Sequence, residues 1–460
     1  MLLVSQGAGF TEWWEILLLQ SYNTRLVVLS TSLLGVAAGV VGSFLLLRKR
    51  SLMGDALSHA TLPGIGIAFA VLIALGGDGR SLPGLLLGAT LSGILGMLTM
   101  LAIRNTTNLR DDVAMGLVLS VFFGAGVSIL RMVQTLPGGS AAGLESFIYG
   151  KTASLILADF FLIGAVGWIS VVICLLFRKE FTLLCFDEGF GASQGWPTKF
   201  LDVTLLSLVT AVTVIGLQAV GLILIIAFLI IPPATARFWT QRLEVMMGLS
   251  AFFGGLSGWC GASISALVPK LPAGAVIVLT SAVFFLGSMM FAPARGVVPR
   301  WLRHRKLKRK VNRQHLLRAA YELLEAEGDV DEQTLQKIVR NRPFSKAALL
   351  RKRTWKPSAL QSILRREMDM GHVQQDAGES LRLSEEGFGE AARITRNHRL
   401  WETYLVTHAE IATSHVDRDA DMVEHVLEAE LVQQLEEELR RKEAWIESPH
   451  PMGETQKEAV

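Results

Sequence analysis

The sequence predicts an all-α polytopic membrane domain of about nine transmembrane helices followed by a cytoplasmic soluble domain, and three observations carry that prediction. Apolar runs of roughly 20 residues, enough to cross a bilayer core, follow one another from Arg25 to Ala292. From residue 301 onward the composition inverts to Arg, Lys, Glu and His, and no run is long enough to span. Lys and Arg gather on alternate connections between the apolar runs, as the positive-inside rule requires. The whole chain is 51% hydrophobic and 18% charged, with a mean hydropathy of +0.41, too apolar for an ordinary cytosolic enzyme of this length.

The predicted spans fall near 25–47, 56–76, 83–103, 113–131, 155–177, 201–217, 219–235, 243–266 and 273–292. The sixth and seventh are short and divided only near Gln218. Arg48, Lys49 and Arg50, then Arg104 and Arg110, then Arg178, Lys179 and Lys199, then Arg237 and Arg242, and finally the cluster from Arg295 to Lys310 mark one side as cytoplasmic. The N-terminus is then outside and the C-terminal domain inside. The first 24 residues carry neither a basic n-region nor a small-residue cleavage site, so no signal peptide is expected. Trp13 and Trp14 suit the membrane interface.

Within the second span, SLMGDALSHATLPG places Asp55 and His59 four residues apart, on one face of a helix. Ionisable groups in lipid cost roughly 2.5–3.5 kcal/mol each on insertion scales, so they persist mainly along a transport path or paired with each other. A carboxylate with an imidazole, and no thiolate nearby, suits manganese, ferrous iron or zinc and argues against cuprous copper. The alternative is a pair that only satisfies itself or ties two helices together. Asp55 follows the basic cluster closely, so a straight span would hold it near the cytoplasmic face. A helix starting deeper, or a broken entry around Gly54 and Pro63, would place the pair away from that face.

Two other segments carry signals of their own. FDEGFGASQG, residues 186–195, is short, punctuated by glycine and on the basic side, which suits a helix docking into a groove on a cytosolic partner. Pro232 and Pro233 cannot sustain i to i−4 hydrogen bonding, so the seventh helix is expected to break or end there. GLESFIYGKT, residues 143–152, ends like a phosphate-binding loop, but it has Glu145 where that pattern needs glycine, and no strand precedes it. The chain therefore shows no nucleotide site, and no enzymatic chemistry of its own is expected. Cys174, Cys185 and Cys260 fit neither a disulfide framework nor a thiolate metal site.

SLMGDALSHATLPG, FDEGFGASQG, AFLIIPPATARF at 227–238 and LPAGAVIVL at 271–279 together resemble, in this order, the membrane permeases of ABC importers for manganese, zinc and iron, over residues 20–296. The resemblance implies that Asp55 and His59 line the metal path. It also implies that Phe186, Asp187, Glu188, Ala192 and Gly195 couple to a cytosolic ABC ATPase. Expected partners are that ATPase, an extracytoplasmic metal-binding protein and a second permease chain, as homo- or heterodimer, in a bacterial cytoplasmic (inner) membrane.

The soluble part begins after WLRHRKLKRK, a run that reads as a juxtamembrane linker over 297–312, attracted to anionic lipid. An amphipathic helix, QHLLRAAYELLEAEG, then a helix near 331–340, then SKAALLRKR and PSALQSILRREMDMG follow; the last has Pro357 in its first turn and Gly371 after its end. A polar stretch through LRLSEEG completes a winged-helix pattern over 313–383, with Arg365 and Arg366 placed for DNA phosphates. Such a module also serves dimerisation or protein docking. LSEEGFGEAARITRNHRLWETYL, ADMVEH and SPHPMG resemble the iron- and manganese-dependent repressors of the diphtheria-toxin-repressor type, which implies a helical metal-binding dimerisation domain over 384–460.

Carried over by position, that family's first metal site falls on His315, Asp421, Glu424 and His425, and a second on His398 and Glu402, whose third place falls on Asp417 by ungapped alignment while the nearby histidine is His415. Mn2+ or Fe2+ is the implied cofactor and operator DNA an implied partner. The whole then reads as a divalent-metal permease carrying its own metal-responsive regulator. The alternatives are a membrane-tethered or proteolytically released repressor, and a proton-driven secondary carrier, which would have no use for FDEGFGASQG.

Overall fold

A computed structural model describes residues 21–76, 81–134, 152, 155–267, 271–326, 342–376, 380–408 and 434. The chain divides into two compact units, Met1–Arg300 and Trp301–Val460.

Among the described residues of the first unit, nine helical spans are long and apolar enough to cross a membrane. The first is α1 (Tyr22–Leu47), capped by the Ser21 hydroxyl, which accepts from the Thr24 N–H. The second is split into α2 (Met53–Ala60) and α3 (Leu62–Ala74). Then come α4 (Leu82–Thr106), α5 (Asp111–Gln134) and α6 (Leu157–Leu176). Two short helices, α7 (Arg178–Phe186) and α8 (Glu188–Ser193), precede α9 (Thr198–Val220), α10 (Leu222–Trp239), α11 (Leu243–Leu267) and α12 (Ala273–Phe291). Trp13, Trp14 and nearly all of GLESFIYGKT lie outside the described residues.

Small residues set the core of the bundle. At the α1–α11 crossing, a Cβ on Gly35 would stand 2.3 Å from the Gly254 carbonyl oxygen, so glycine is what lets the backbones meet. The Ser250 hydroxyl donates across the same contact to the Gly39 carbonyl at 2.7 Å.

The boundary between the sixth and seventh spans is Gly221, whose φ of +86° makes the kink, and not Gln218, which stays helical in α9. The expected break at Pro232 and Pro233 does not occur: α10 runs through both prolines to Trp239. Pro233 cannot bond to the Leu229 carbonyl, but that oxygen is packed against α1, where a Cβ on Gly42 would stand 2.2 Å from it. The freed group is thus sheltered within protein, the condition under which a membrane helix tolerates proline.

In the second unit, α13 (Val297–Ala326) enters from the first unit as a single helix. The segment read as a linker, 297–312, is therefore helical and continuous with the first helix of the soluble domain, because after Pro299 in its first turn it contains no Gly or Pro. Next come β1 (Phe344–Ser345), α14 (Lys346–Lys352), α15 (Pro357–Asp369), β2 (Val373–Gln375), β3 (Ser380–Leu383) and α16 (Glu385–His408). The strands form one antiparallel sheet in the order β1-β3-β2, with Val373 opposite Leu383 and Phe344 opposite Leu381. Leu316, Ala320 and Leu324 of α13 pack with Leu349, Leu360, Ile363, Leu381 and Ile394 into one core. The helix expected near 331–340 falls outside the described residues.

Candidate functional site

The second span passes from α2 to α3 at Thr61, which keeps helical backbone angles (φ −77°, ψ −23°), and hydroxyl groups take up carbonyls around this junction. Thr61 donates to the Ser58 carbonyl at 2.6 Å, Ser92 of α4 to that of Ala60 at 2.6 Å, and Ser58 to that of Asp55 at 2.8 Å. Asp55 and His59 lie on α2, just before this junction. His59 Nε2 stands 3.3 Å from Asp55 Oδ1, with both side chains partly buried. The ring makes an edge contact with Phe123, centroids 4.8 Å apart. Phe123 is at the midpoint of α5, so the imidazole is held at the depth of that helix's centre although α2 starts at the basic cluster.

His59 Nδ1 is buried and has no hydrogen-bond partner among the described residues. A buried nitrogen without a partner normally demands an explanation, such as an ion. The pair borders an open face of α5: Leu117, Val121, Phe123 and Val127 are exposed, and nothing lies within 4 Å of a Cβ built on Gly116 or Gly124. Two protein ligands are too few for a transition-metal ion, so water or a second chain must complete its shell.

At the basic end of the bundle, six charged side chains from five elements form one network. Asp202 of α9, 2% exposed, receives Arg50 at 3.1 Å and Arg104 at 2.5 Å, and bonds Arg48 as well. Glu188 of α8 receives Arg48 at 2.9 Å and Arg104 at 2.7 Å, and Asp111 of α5 receives Arg50 at 2.7 Å. Burial lowers the Arg48 guanidinium despite the opposing pull of Asp202.

The segment FDEGFGASQG forms α8, with Asp187 as its N-cap, accepting from the Phe190 N–H at 2.8 Å. Gly195 ends it at φ +81°. The candidate coupling residues divide accordingly. Glu188 points into the arginine network, while Phe186, Asp187, Ala192 and Gly195 are exposed beside Phe190, Trp196 and Phe200. Partly buried Cys185 on α7 has its thiol pushed up to about 12 by desolvation, the behaviour of an unreactive packing residue.

In the second unit, His398 and Glu402 of α16 meet, Nε2 to Oε1 at 2.9 Å, and Arg318 of α13 lies 2.7 Å from His398 Nδ1. His315 has Arg353 at 3.3 Å from its Nδ1. Asp417, Asp421, Glu424 and His425 lie outside the described residues. Among the described residues no three His, Cys, Asp or Glu side chains group as a metal site. Arg365 and Arg366 are exposed on α15, and Arg366 lines a recess of about 350 Å³ with Arg305, Lys308, Arg309 and Asn312 of α13.

Residues 20–292 match the family model described as ABC 3 transport family. The chain belongs to that family. Residues 384–450 match the iron dependent repressor, metal binding and dimerisation domain, so this ABC 3 permease carries a regulator-type domain at its C-terminal end. The manganese transport system membrane protein MntC of Bacillus subtilis is 36% identical over 410 residues, 89% of this chain and 90% of that protein. An alignment of that length extends well beyond the permease part. The zinc transport system membrane protein TroC of Treponema pallidum is 44% identical over 63% of this chain and 96% of its own length. Among solved structures, PsaBC from Streptococcus pneumoniae in complex with Fab matches with a TM-score of 0.54 and 31% identity, over 64% of this chain and 99% of that one.

The sequence alone did not point to Asp111, Asp202 and the three arginines as one unit, nor to Phe123 or Arg318. The available signal was Asp202 itself, an acid inside a run otherwise apolar enough to span.

Proposed function

We propose that the chain is the membrane-spanning subunit of an ATP-driven importer whose cargo is manganese, ferrous iron or zinc, and that Asp55 and His59 bind the ion on its way through. The observation that carries this reading is the second span's carboxylate and imidazole, with a buried nitrogen that has no partner among the described residues, against Phe123 at the midpoint of α5. Two such chains facing each other across the open α5 face would bring together two carboxylates and two imidazoles, a ligand set suited to these ions. A paired chain of related sequence would serve the same purpose.

The chain supplies binding, shape and coupling, and a cytosolic ATPase supplies the energy. An extracytoplasmic metal-binding protein would deliver the ion. The exposed aromatic rim around α8 is the surface offered to the ATPase, and Glu188 fixes α8 to α1 and α4 through Arg48 and Arg104. Arg50 continues the connection from Asp202 to Asp111 at the start of α5, the helix whose Phe123 packs on His59. Movement of α8 thereby reaches the metal pair through rigid, charge-paired contacts. The concentration of Arg at this end supports a cytoplasmic side there, hence a multi-pass inner-membrane protein with its C-terminal domain in the cytoplasm.

The C-terminal domain reads as a metal sensor. We infer that Asp421, Glu424 and His425, spaced i, i+3 and i+4, close a Mn2+ or Fe2+ site with His315 of α13. The helices α14 and α15 followed by the β2–β3 hairpin support a winged helix, with Arg365 and Arg366 at hand for operator DNA. Reconstitution with the partner ATPase and binding protein tests the transport reading. Wild type should import manganese or zinc with ATP, and Asp55→Ala and His59→Ala should insert and assemble yet import none. Full uptake by either variant would reduce the pair to a structural one.

A further inference from the structure

The second site that the repressor resemblance implies is occupied, in this fold, by a side chain of the protein. His398 is 1% exposed and both its ring nitrogens are engaged: Nδ1 lies 2.7 Å from Arg318 Nη1 and Nε2 lies 2.9 Å from Glu402 Oε1. A guanidinium can only donate and does not deprotonate in proteins. Nδ1 must therefore present its lone pair to Arg318, and the ring proton sits on Nε2, donated to the Glu402 carboxylate. An imidazolium is ruled out, because two donors would then face each other across 2.7 Å.

This is the pattern of a metal-bound histidine, whose lone pair meets a cation while its other nitrogen donates to a carboxylate. Here the cation is Arg318. Its Nε donates to Glu322 Oε1 at 2.6 Å, and Lys352 Nζ approaches the other oxygen of Glu322 at 3.2 Å. Among the described residues, the carboxylates of Glu322 and Glu402 each face a group of this cluster, and Arg318 stands where an ion would meet the His398 lone pair. A metal ion would have to displace a positive group that is 5% exposed and anchored at its Nε.

We propose that Arg318 is a built-in substitute for the metal at this position, so that α16 is fastened to α13 whether or not metal is present. The inference rests on the regulator reading of the C-terminal domain and deepens it. Metal response is confined to the set formed by Asp421, Glu424, His425 and His315, and the His398–Glu402 pair is a fixed support.

Hydrogen exchange on the full chain in nanodiscs, with manganese or with a chelator, tests this. In wild type, residues 385–402 should exchange equally slowly under both conditions. In Arg318→Met the same stretch should exchange about tenfold faster in chelator, since a buried charged hydrogen bond is lost, and Arg318→Lys should retain part of the protection. Faster exchange of 385–402 in wild type on chelation would overturn the proposal, and that measurement needs no variant to fold. The same data separate the two readings. If residues 420–425 gain no protection from manganese, the sensor assignment fails, while the behaviour of 385–402 still decides the role of Arg318.

Discussion

Replacing Asp202 by Asn removes the carboxylate at the centre of the arginine network while leaving its volume almost unchanged. Asp202 is 2% exposed, and the side chains of Arg48 and Arg50 are 5% and 3% exposed, so bulk water cannot take its place. After the change Arg48 retains Glu188 and Arg50 retains Asp111, both partly exposed acids, and the new amide keeps one acceptor oxygen but turns its NH2 donor toward guanidinium where the second carboxylate oxygen stood. Breaking a buried pair by removing one partner costs about 3–5 kcal/mol, because the remaining charge is desolvated without compensation. At roughly 2 °C per kcal/mol for a unit of this size, the melting midpoint in nanodiscs should fall by roughly 6–10 °C. Thermal unfolding of the membrane unit followed by intrinsic tryptophan fluorescence is the assay. Adding Arg50→Met to the Asp202→Asn background should recover part of the loss, since the uncompensated cation is then gone. A shift below about 1 °C, or strict additivity of the two changes, would refute the idea that buried charge pairing holds this end together.

Two other outcomes follow from the same geometry. Glu188→Gln should leave metal binding intact but uncouple ATP hydrolysis from uptake, because α8 then loses its charged tie to Arg48 and Arg104; parallel ATPase and uptake assays check this, and normal coupling would remove Glu188 from the mechanism. In the C-terminal unit, burial raises the Glu322 carboxyl, but Arg318 and Lys352 outweigh it and hold its pKa below the ordinary 4.5. Its stabilising contribution is therefore complete above pH 4.5 and is lost as pH falls through the lower folded value. Acid unfolding of the Glu322→Gln variant should lack that component in this window.

Much of the membrane unit could be read from the sequence because a bilayer imposes its thickness on the chain. The nine apolar runs lie on the nine helical spans, with ends displaced by a few residues. Around Pro63 the helix passes from α2 to α3 at Thr61 with helical backbone angles. Local chemistry failed at Pro232 and Pro233, where a neighbouring glycine, Gly42, shelters the carbonyl that proline releases. That compensation comes from a residue far away in the chain. The arginine network was hidden for the same reason: residues 48, 50, 104, 111, 188 and 202 converge only through tertiary packing. At His398, matching by position picked out a residue that does meet its i+4 partner, Glu402, at 2.9 Å. It could not reveal that Arg318, from another helix, already holds the lone pair.

The central claim is that Asp55 and His59 hold the transported ion, and locating the metal tests it most directly. Anomalous scattering at the manganese edge, from crystals of the permease trapped with manganese, should place a peak within coordination distance of a His59 nitrogen and an Asp55 oxygen, and His59→Ala should abolish that peak. Manganese found elsewhere in the membrane unit, with Asp55 and His59 still bonded only to each other, would contradict the account.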